Sequence, residues 1–246
     1  MLDILRDNWL LFLVGQYPNG PLGGLTMTLL VAVSGLLLAF PCALLIALGR
    51  ISPYRTFRLP ATLVVHVFRG TPFLMVIFWS YFALPLLVGD AIPGFATLVG
   101  ALVLYESAYL AEVIRAGIEA LPKGQYEAAR SLGLNYPRTM AYVILPQALF
   151  NSLPSVLTQF VSLIKETSLG YVISVNEFTF AAAQVNNLLL TKPVQVFSIL
   201  AMTFFAVCFS LTQTARMIER RIVRRRSGAA PGARPPVPPI AVESAP

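Results

Sequence analysis

The sequence predicts an all-α, polytopic membrane protein with about five transmembrane helices. Three observations carry that prediction. Of 246 residues, 57% are hydrophobic and only 12% charged, with a mean hydropathy of +0.72. Soluble domains carry about twice that charged fraction. Several apolar runs reach the roughly 20 residues a helix needs to cross a bilayer. Basic residues cluster in alternate connectors, the pattern that orients a membrane chain.

The segment before the first span, residues 1–21, carries Asp3, Arg6 and Asp7. With no basic region ahead of a cleavable apolar core it does not read as a secretory signal, and it is expected to be a periplasmic or interfacial segment. The transmembrane domain is expected over 22–222. Its spans are Gly24–Gly49, Leu59–Val88, Phe95–Gly117, Pro154–Val175 and Val194–Met217. Arg50, Arg55 and Arg58 follow the first span, and Lys123, Arg130 and Arg138 follow the third. Arg216, Arg220, Arg221, Arg224, Arg225 and Arg226 follow the fifth. The other side holds only Arg6 and Lys192 among basic residues, with Asp90 and Glu177. This asymmetry puts the N-terminus outside and the C-terminus inside. From 223 to 246 the chain is basic and then rich in Pro and Ala, and it buries too little apolar surface to fold. A disordered cytoplasmic tail is expected there.

Other function classes find little support. The net charge of +7 sits in connectors and not on a soluble basic face, which argues against nucleic acid. Cys42 and Cys208 both fall within spans, where neither a disulfide nor a metal site is expected. His66 is the only histidine and is expected to pack in its apolar stretch. No G-x-x-x-x-G-K-[ST] segment is present to cradle phosphates, so ATP hydrolysis and catalysis are not expected of this chain. No internal repeat supports an inverted-repeat carrier.

The most informative polar stretch is the connector at about 121–146, IEALPKGQYEAARSLGLNYPRT and onward to Pro146. Pro122 suits the first turn of a short helix, because its missing amide proton costs nothing there. Glu127 to Leu132 favour helix, and Gly133 is a stop suited to the left-handed conformation. Pro137 permits a second helix. Ala128 and Ala129 leave a low surface on which another protein can pack. The plain alternative is an interfacial helix pair lying on lipid headgroups.

The fourth span carries a polar stripe. Asn151, Ser155, Gln159, Ser162 and Glu166 fall within a sector of about 80° on a helix. Leu157, Phe160, Val161 and Ile164 take the opposite side. Exposing such a stripe to lipid is costly, so it faces a cavity or a neighbouring helix. A zwitterion there would meet Glu166 through its ammonium group and Gln159 through a polar side chain. The other reading is helix-to-helix glue. Arg69, beside Gly70 and Pro72, either steadies a carboxylate or holds a broken helix start. Glu106 lies deep in the third span and is functional or paired. Glu112, Arg115 and Glu119 are spaced for a mutual ion network. Thr167 and Ser168 suit a helix break before Gly170.

Glu127-Ala128-Ala129, Gly133 and Val143-Ile144-Leu145-Pro146 resemble the loop that defines the membrane subunits of binding-protein-dependent ABC importers. Val143 replaces the usual Ile. Phe68-Arg69-Gly70-Thr71-Pro72, Ala108–Ile118, Lys123–Ala129, Leu145–Ala148 and Lys165–Leu169 extend the resemblance to the polar amino-acid permeases, over about residues 22–220. That resemblance implies a type I importer permease fold in a bacterial inner membrane, with a cytoplasmic coupling helix. Glu127, Ala128, Ala129 and Gly133 would then couple to an ABC ATPase. It also implies a second permease, identical or similar, and a periplasmic binding protein delivering an amino acid of the glutamate, glutamine, aspartate, arginine or histidine class. ATP and magnesium would belong to the ATPase, with no cofactor bound by this chain. An opine or another small zwitterion as cargo, a self-sufficient carrier and a membrane scaffold are the alternatives.

Overall fold

The computed structural model describes the backbone of residues 1–228 and side chains through Ile222. The described chain is helical apart from two isolated bridges, Gly15 with Leu22 and Gly24 with Glu177. The helices are α1 (Leu2–Val14), α2 (Gly24–Ile51), α3 (Arg55–Gly70), α4 (Phe73–Phe78), α5 (Leu84–Val88) and α6 (Gly94–Glu119). They continue with α7 (Lys123–Ser131), α8 (Tyr136–Thr139), α9 (Leu145–Glu166), α10 (Phe178–Leu189) and α11 (Pro193–Gly228). Wider π-helical turns join α4 to α5 (Trp79–Ala83) and α8 to α9 (Met140–Ile144).

The centre of the bundle is α6 against α2. Lipid offers apolar side chains no reason to leave it, so helices associate there through close packing of small residues. Helix α2 presents Gly35, Ala39, Ala43 and Ala47 at every fourth position, all buried. Helix α6 answers with Ala101, Ala108 and Ala111, interleaved with Leu102, Leu110 and Ile114. A Cβ added at Gly35 would meet Leu102 Cβ at 3.4 Å, so little room remains. On its other face α6 approaches α9 as closely. A Cβ at Gly117 would collide with the Ser152 hydroxyl and lie 3.1 Å from the Ala148 carbonyl.

Among the described residues four helices are long and apolar enough to span a membrane, and a bent pair, counted as one span, would make five. That pair is the expected Leu59–Val88 span, which is not one rod: α3 and α4–α5 meet at 106°. Pro72 explains the bend. It pushes Thr71 to extended backbone (φ −107°, ψ 134°), and an extended residue ends a helix. The fourth span also differs from expectation. Helix α9 starts at Leu145, nine residues before Pro154, because Pro146 suits a first turn and Pro154 is absorbed within the helix. It tightens into a 3₁₀ segment over Thr167–Ile173, where Thr167 and Ser168 donate to the carbonyls of Ile164 (2.7 Å) and Lys165 (2.6 Å).

Two helices were not expected from the sequence. Helix α1 lies in the N-terminal segment and buries Ile4 and Phe12 in a cluster with Phe178, Ala182, Val185, Val196 and Ile199. Helix α10, too short to cross a bilayer, is fixed by Glu177. Its carboxylate is fully buried and accepts the amides of Thr179 (2.8 Å) and Phe180 (2.9 Å). Burial pushes this carboxyl up to about 7 against the pull of those two amides. Glu177, counted in the sequence among the few charges of the outer side, is therefore a buried helix cap. His66 also departs from expectation: only one face of α3 packs on α2 and α6, and His66 lies on the exposed face while Val65 is buried. Helix α11 carries the expected tail start, 223–228, as helix; the rest of the tail lies outside the described residues.

The α6–α9 contact gives a direct test. Gly117→Val should lower the melting temperature of the detergent-solubilised chain, by an overpacking cost of about 1–3 kcal/mol. An unchanged melting curve would mean that the two helices are not held this closely.

Candidate functional site

A cavity of about 540 Å³ opens between α3, α6 and α9. Its wall holds Arg69, Tyr109, Glu112, Asn151, Ser155 and Gln159 among smaller residues. Three members of the α9 polar stripe thus face this space, as the stripe required. The small residues Ala116, Gly117 and Ala120 supply the room on α6. Ligand sites of small molecules have this size and this sparse polar lining. A second hollow, about 750 Å³ between α2, the α4–α5 turn and α6, is almost wholly apolar and offers a zwitterion nothing to bind.

Arg69 stands at the wall with two anchors. Its guanidinium lies 5.4 Å from the centre of the Tyr109 ring, a cation–π arrangement, and 3.8 Å from Glu112 Oε2. Glu112 is a hub for three helices: Arg50 of α2 and Arg115 of α6 both bind its carboxylate, and Arg115 continues to Glu119 at 2.5 Å. The expected Glu112–Arg115–Glu119 network is present. Arg50, expected only as an orienting charge, was missed as its partner; no local pattern links residues 62 apart.

Gln159 joins the cavity to a second feature. Its Nε2 donates to Glu106 Oε2 at 2.9 Å. Glu106 is fully buried, and the carboxyl of Glu166 comes against it. One oxygen of each, Glu106 Oε1 and Glu166 Oε2, is buried with no hydrogen-bond partner among the described residues. Glu106 thus pairs with Gln159, which the sequence left open. Of the four expected substrate residues, Arg69 and Gln159 line the cavity; Ser162 and Glu166 lie beyond its wall. Tyr105 and Tyr109 were missed. Their ring centres lie 4.9 Å apart, tilted by 42°, with hydroxyls 3.1 Å apart, and Phe73 packs on Tyr105 at a similar tilt.

The connector forms the expected helix, glycine stop and helix. Gly133 adopts φ +81°, and the amides of Leu134 and Gly133 close back on the carbonyls of Ala129 (3.2 Å) and Arg130 (3.0 Å). That is a Schellman stop, which favours glycine. Asn135 caps α8 by accepting the Arg138 amide at 3.1 Å, with Pro137 inside the first turn. The outer surface shows Glu127, Ala128, Leu132 and Gly133, with Leu132 84% exposed and open space around Gly133. Ala129 does not belong to that surface. It turns inward and is buried, because α7 packs one face on the π-helical turn before α9.

The residues 35–224 match the model of the family described as "Binding-protein-dependent transport system inner membrane component". The chain belongs to this family. It is 37% identical over 203 residues to the inner membrane amino-acid ABC transporter permease protein YhdY of Escherichia coli (strain K12). It is 36% identical over 200 residues to the probable glutamine ABC transporter permease protein GlnP of Bacillus subtilis (strain 168). These alignments cover 81% and 80% of this chain; they span 55% of the first relative and 91% of the second. A crystal structure of an amino acid ABC transporter with histidines superposes with a TM-score of 0.74 at 35% identity, covering 80% of this chain and 92% of that one. The MetNI methionine ABC transporter, inward facing, matches with a TM-score of 0.61 at 19% identity, a likeness of fold alone. Together they make this a type I importer permease fold.

Removing the charge at the hub should be felt. Glu112→Gln leaves Arg50 and Arg115 facing a neutral acceptor, an expected loss of about 1–3 kcal/mol. Differential scanning fluorimetry would register it as a lower melting temperature; no shift would make the hub incidental to stability.

Proposed function

We propose that this chain is the permease subunit of an ATP-driven importer for polar amino acids, of the glutamate, glutamine, aspartate, arginine and histidine class. The observation that carries this reading is a cavity with a guanidinium, a carboxamide and small polar groups, set inside an apolar helical bundle. A carboxylate and a polar or charged side chain are the groups such a wall recognises. The relatives support it, being amino-acid permeases by name.

Substrate reaches the cavity from a periplasmic binding protein and leaves into the cytoplasm. Arginines concentrated at one end of the spans support an N-terminus outside and a C-terminus inside a bacterial inner membrane. Residues 22–222 form the transporting unit. It pairs with a second permease and with ABC ATPases, which bind and hydrolyse ATP with magnesium. This chain supplies no catalytic residue and no cofactor site. Its contribution is mechanical. Glu127, Ala128 and Gly133 present the loop surface to an ATPase, while Ala129 holds the loop to the bundle.

Three arginine substitutions separate these roles. Ala128→Arg or Gly133→Arg should abolish co-purification of the ATPase and ATP-dependent uptake, with the Ala128→Arg melting temperature unchanged. Ala129→Arg should instead lower the melting temperature, because the side chain has nowhere to go. Recovery of the native complex from membranes followed by mass spectrometry tests the whole reading. An ATPase in about equal amount to permease is expected; its absence under detergent that keeps other importers whole would overturn the reading.

A further inference from the structure

The three arginines around Glu112 do not share its carboxylate equally. Arg115, on the same helix, takes Oε1 through Nε at 3.1 Å and through Nη2. Arg50 takes Oε2 through Nη1. Arg69 faces that same oxygen from 3.8 Å, beyond hydrogen-bond reach. Arg50 and Arg69 therefore compete for one acceptor, and Arg50 holds it. Their surroundings match this division. The Arg50 side chain is 14% exposed and does not line the cavity, whereas that of Arg69 is 44% exposed and does.

What this leaves at the wall is a cation with unused donors. The network joins three guanidinium groups to two carboxylates, Glu112 and Glu119, so one positive charge is uncompensated among the described residues. It falls to Arg69, the member with the longest contact, whose guanidinium rests 5.4 Å from the centre of the Tyr109 ring. A guanidinium over a ring face keeps its N–H donors, which point outward in its own plane, free for an anion. Tyr109 is itself held by the contact of its hydroxyl with that of Tyr105 at 3.1 Å. Without Arg50 the same guanidinium would find Glu112 Oε2 free. A charge-assisted bond between them would close, because unpaired charges inside a membrane bundle are costly.

We infer that Arg50 is a positioning residue for the cavity: by occupying Glu112 Oε2 it keeps the Arg69 guanidinium unpaired and presented to the carboxylate of an incoming amino acid. This inference rests on the transport reading above and adds to it how the anion-binding group is kept available. The arrangement also ties the cavity to the α2–α6 seam. Arg50 sits in the last turn of α2, three residues past Ala47, which is buried in that seam. Parting α2 from α6 at this end would withdraw Arg50, hand Oε2 to Arg69 and take the guanidinium away from the substrate.

The test uses the permease–ATPase complex purified without a binding protein, so that equilibrium dialysis reads the cavity alone. Radiolabelled glutamate, glutamine, aspartate, arginine and histidine are tried in turn. All five carry the α-carboxylate, so the expected effect does not depend on which is the cargo. Arg50→Gln should weaken binding of the amino acid that the wild type retains, roughly 10-fold or more. Arg50→Lys keeps a cation on Oε2 and should recover most of the affinity. The deciding variant is the double one, Arg50→Gln with Glu112→Gln. It removes the acid on which Arg69 would close, so affinity should return toward the wild-type value although two members of the network are gone. A merely structural Arg50 predicts the opposite, a double variant weaker than the single one. Melting curves check that each variant is folded. Should Arg50→Gln not fold, the double variant is compared with Glu112→Gln alone, and the two should bind equally, since without the acid Arg50 has nothing to withhold from Arg69. Wild-type affinity in Arg50→Gln, a double variant no tighter than the single, or unequal binding in that last comparison would overturn the inference and leave the transport reading standing. A wild-type complex that binds none of the five amino acids would instead remove the reading of the cavity itself.

Discussion

The close seam between α2 and α6 is the constraint on which the other features depend. In lipid the apolar faces of a helix gain nothing by turning inward, so attraction comes from backbones that approach closely. Alanines at 39, 43 and 47 against alanines at 108 and 111 make that approach possible. It brings Arg50, at the end of α2, within reach of Glu112 on α6. With α6 fixed, its opposite face can hold α9 through Gly117 and Ser152, and the cavity opens where that packing leaves only small residues. A larger side chain in the seam would move α6 and, with it, both Glu106 and Glu112.

Most polar groups inside the bundle have a partner. Glu177 is buried and satisfied by two amides, which makes it structural. Glu112 is satisfied by arginines from three helices. Ser152 and Thr158 return their hydroxyls to carbonyls one turn back. Among the described residues four side-chain oxygens depart from this, Glu106 Oε1 and Glu166 Oε2 beside the cavity wall and Thr179 Oγ1 and Asn186 Oδ1 in α10. Glu177 and Glu106 are both fully buried carboxyls, but both oxygens of Glu177 accept amides while Glu106 Oε2 accepts from Gln159 and Oε1 has no partner.

What could be read in the sequence follows from how far each signal reaches. Turn and cap chemistry is local, so Gly133, Pro137 and the Thr167–Ser168 break were legible residue by residue. Helix periodicity placed Asn151, Ser155 and Gln159 on one face, and the Glu112–Arg115–Glu119 ladder needed only its own spacing. Pairings between helices were not legible: Arg50 with Glu112, and Glu106 with Gln159 and Glu166, join positions 50 to 62 residues apart with no pattern to connect them. Hydropathy also counts residues without sensing direction. It merged α3 with α4–α5 across Thr71–Pro72, and it passed over α10, whose 12 residues are too few for a crossing. The inward turn of Ala129 was hidden for a related reason: two adjacent alanines look alike until the packed face of α7 is known.

The loop and one wall of the cavity are parts of one element. Helix α8 runs through the π-helical turn into α9 without a stop, and α9 carries Ser155, Gln159 and Glu166 along the same rod. From Leu145 to Glu166 it covers 22 residues, about 33 Å at the usual rise. Its loop end is tied to α7 by Ala129 and by Gln147, whose Nε2 donates to Gln125 Oε1 at 3.4 Å. In the proposed importer, a partner that tilts the loop surface at Ala128 and Gly133 therefore tilts α9 as a lever. Its far end bears against α6 at the Glu106–Glu166 contact. Sliding α9 along α6 would part these two carboxyls. In the proposed importer, the element that receives the mechanical input is thus also a wall of the cavity.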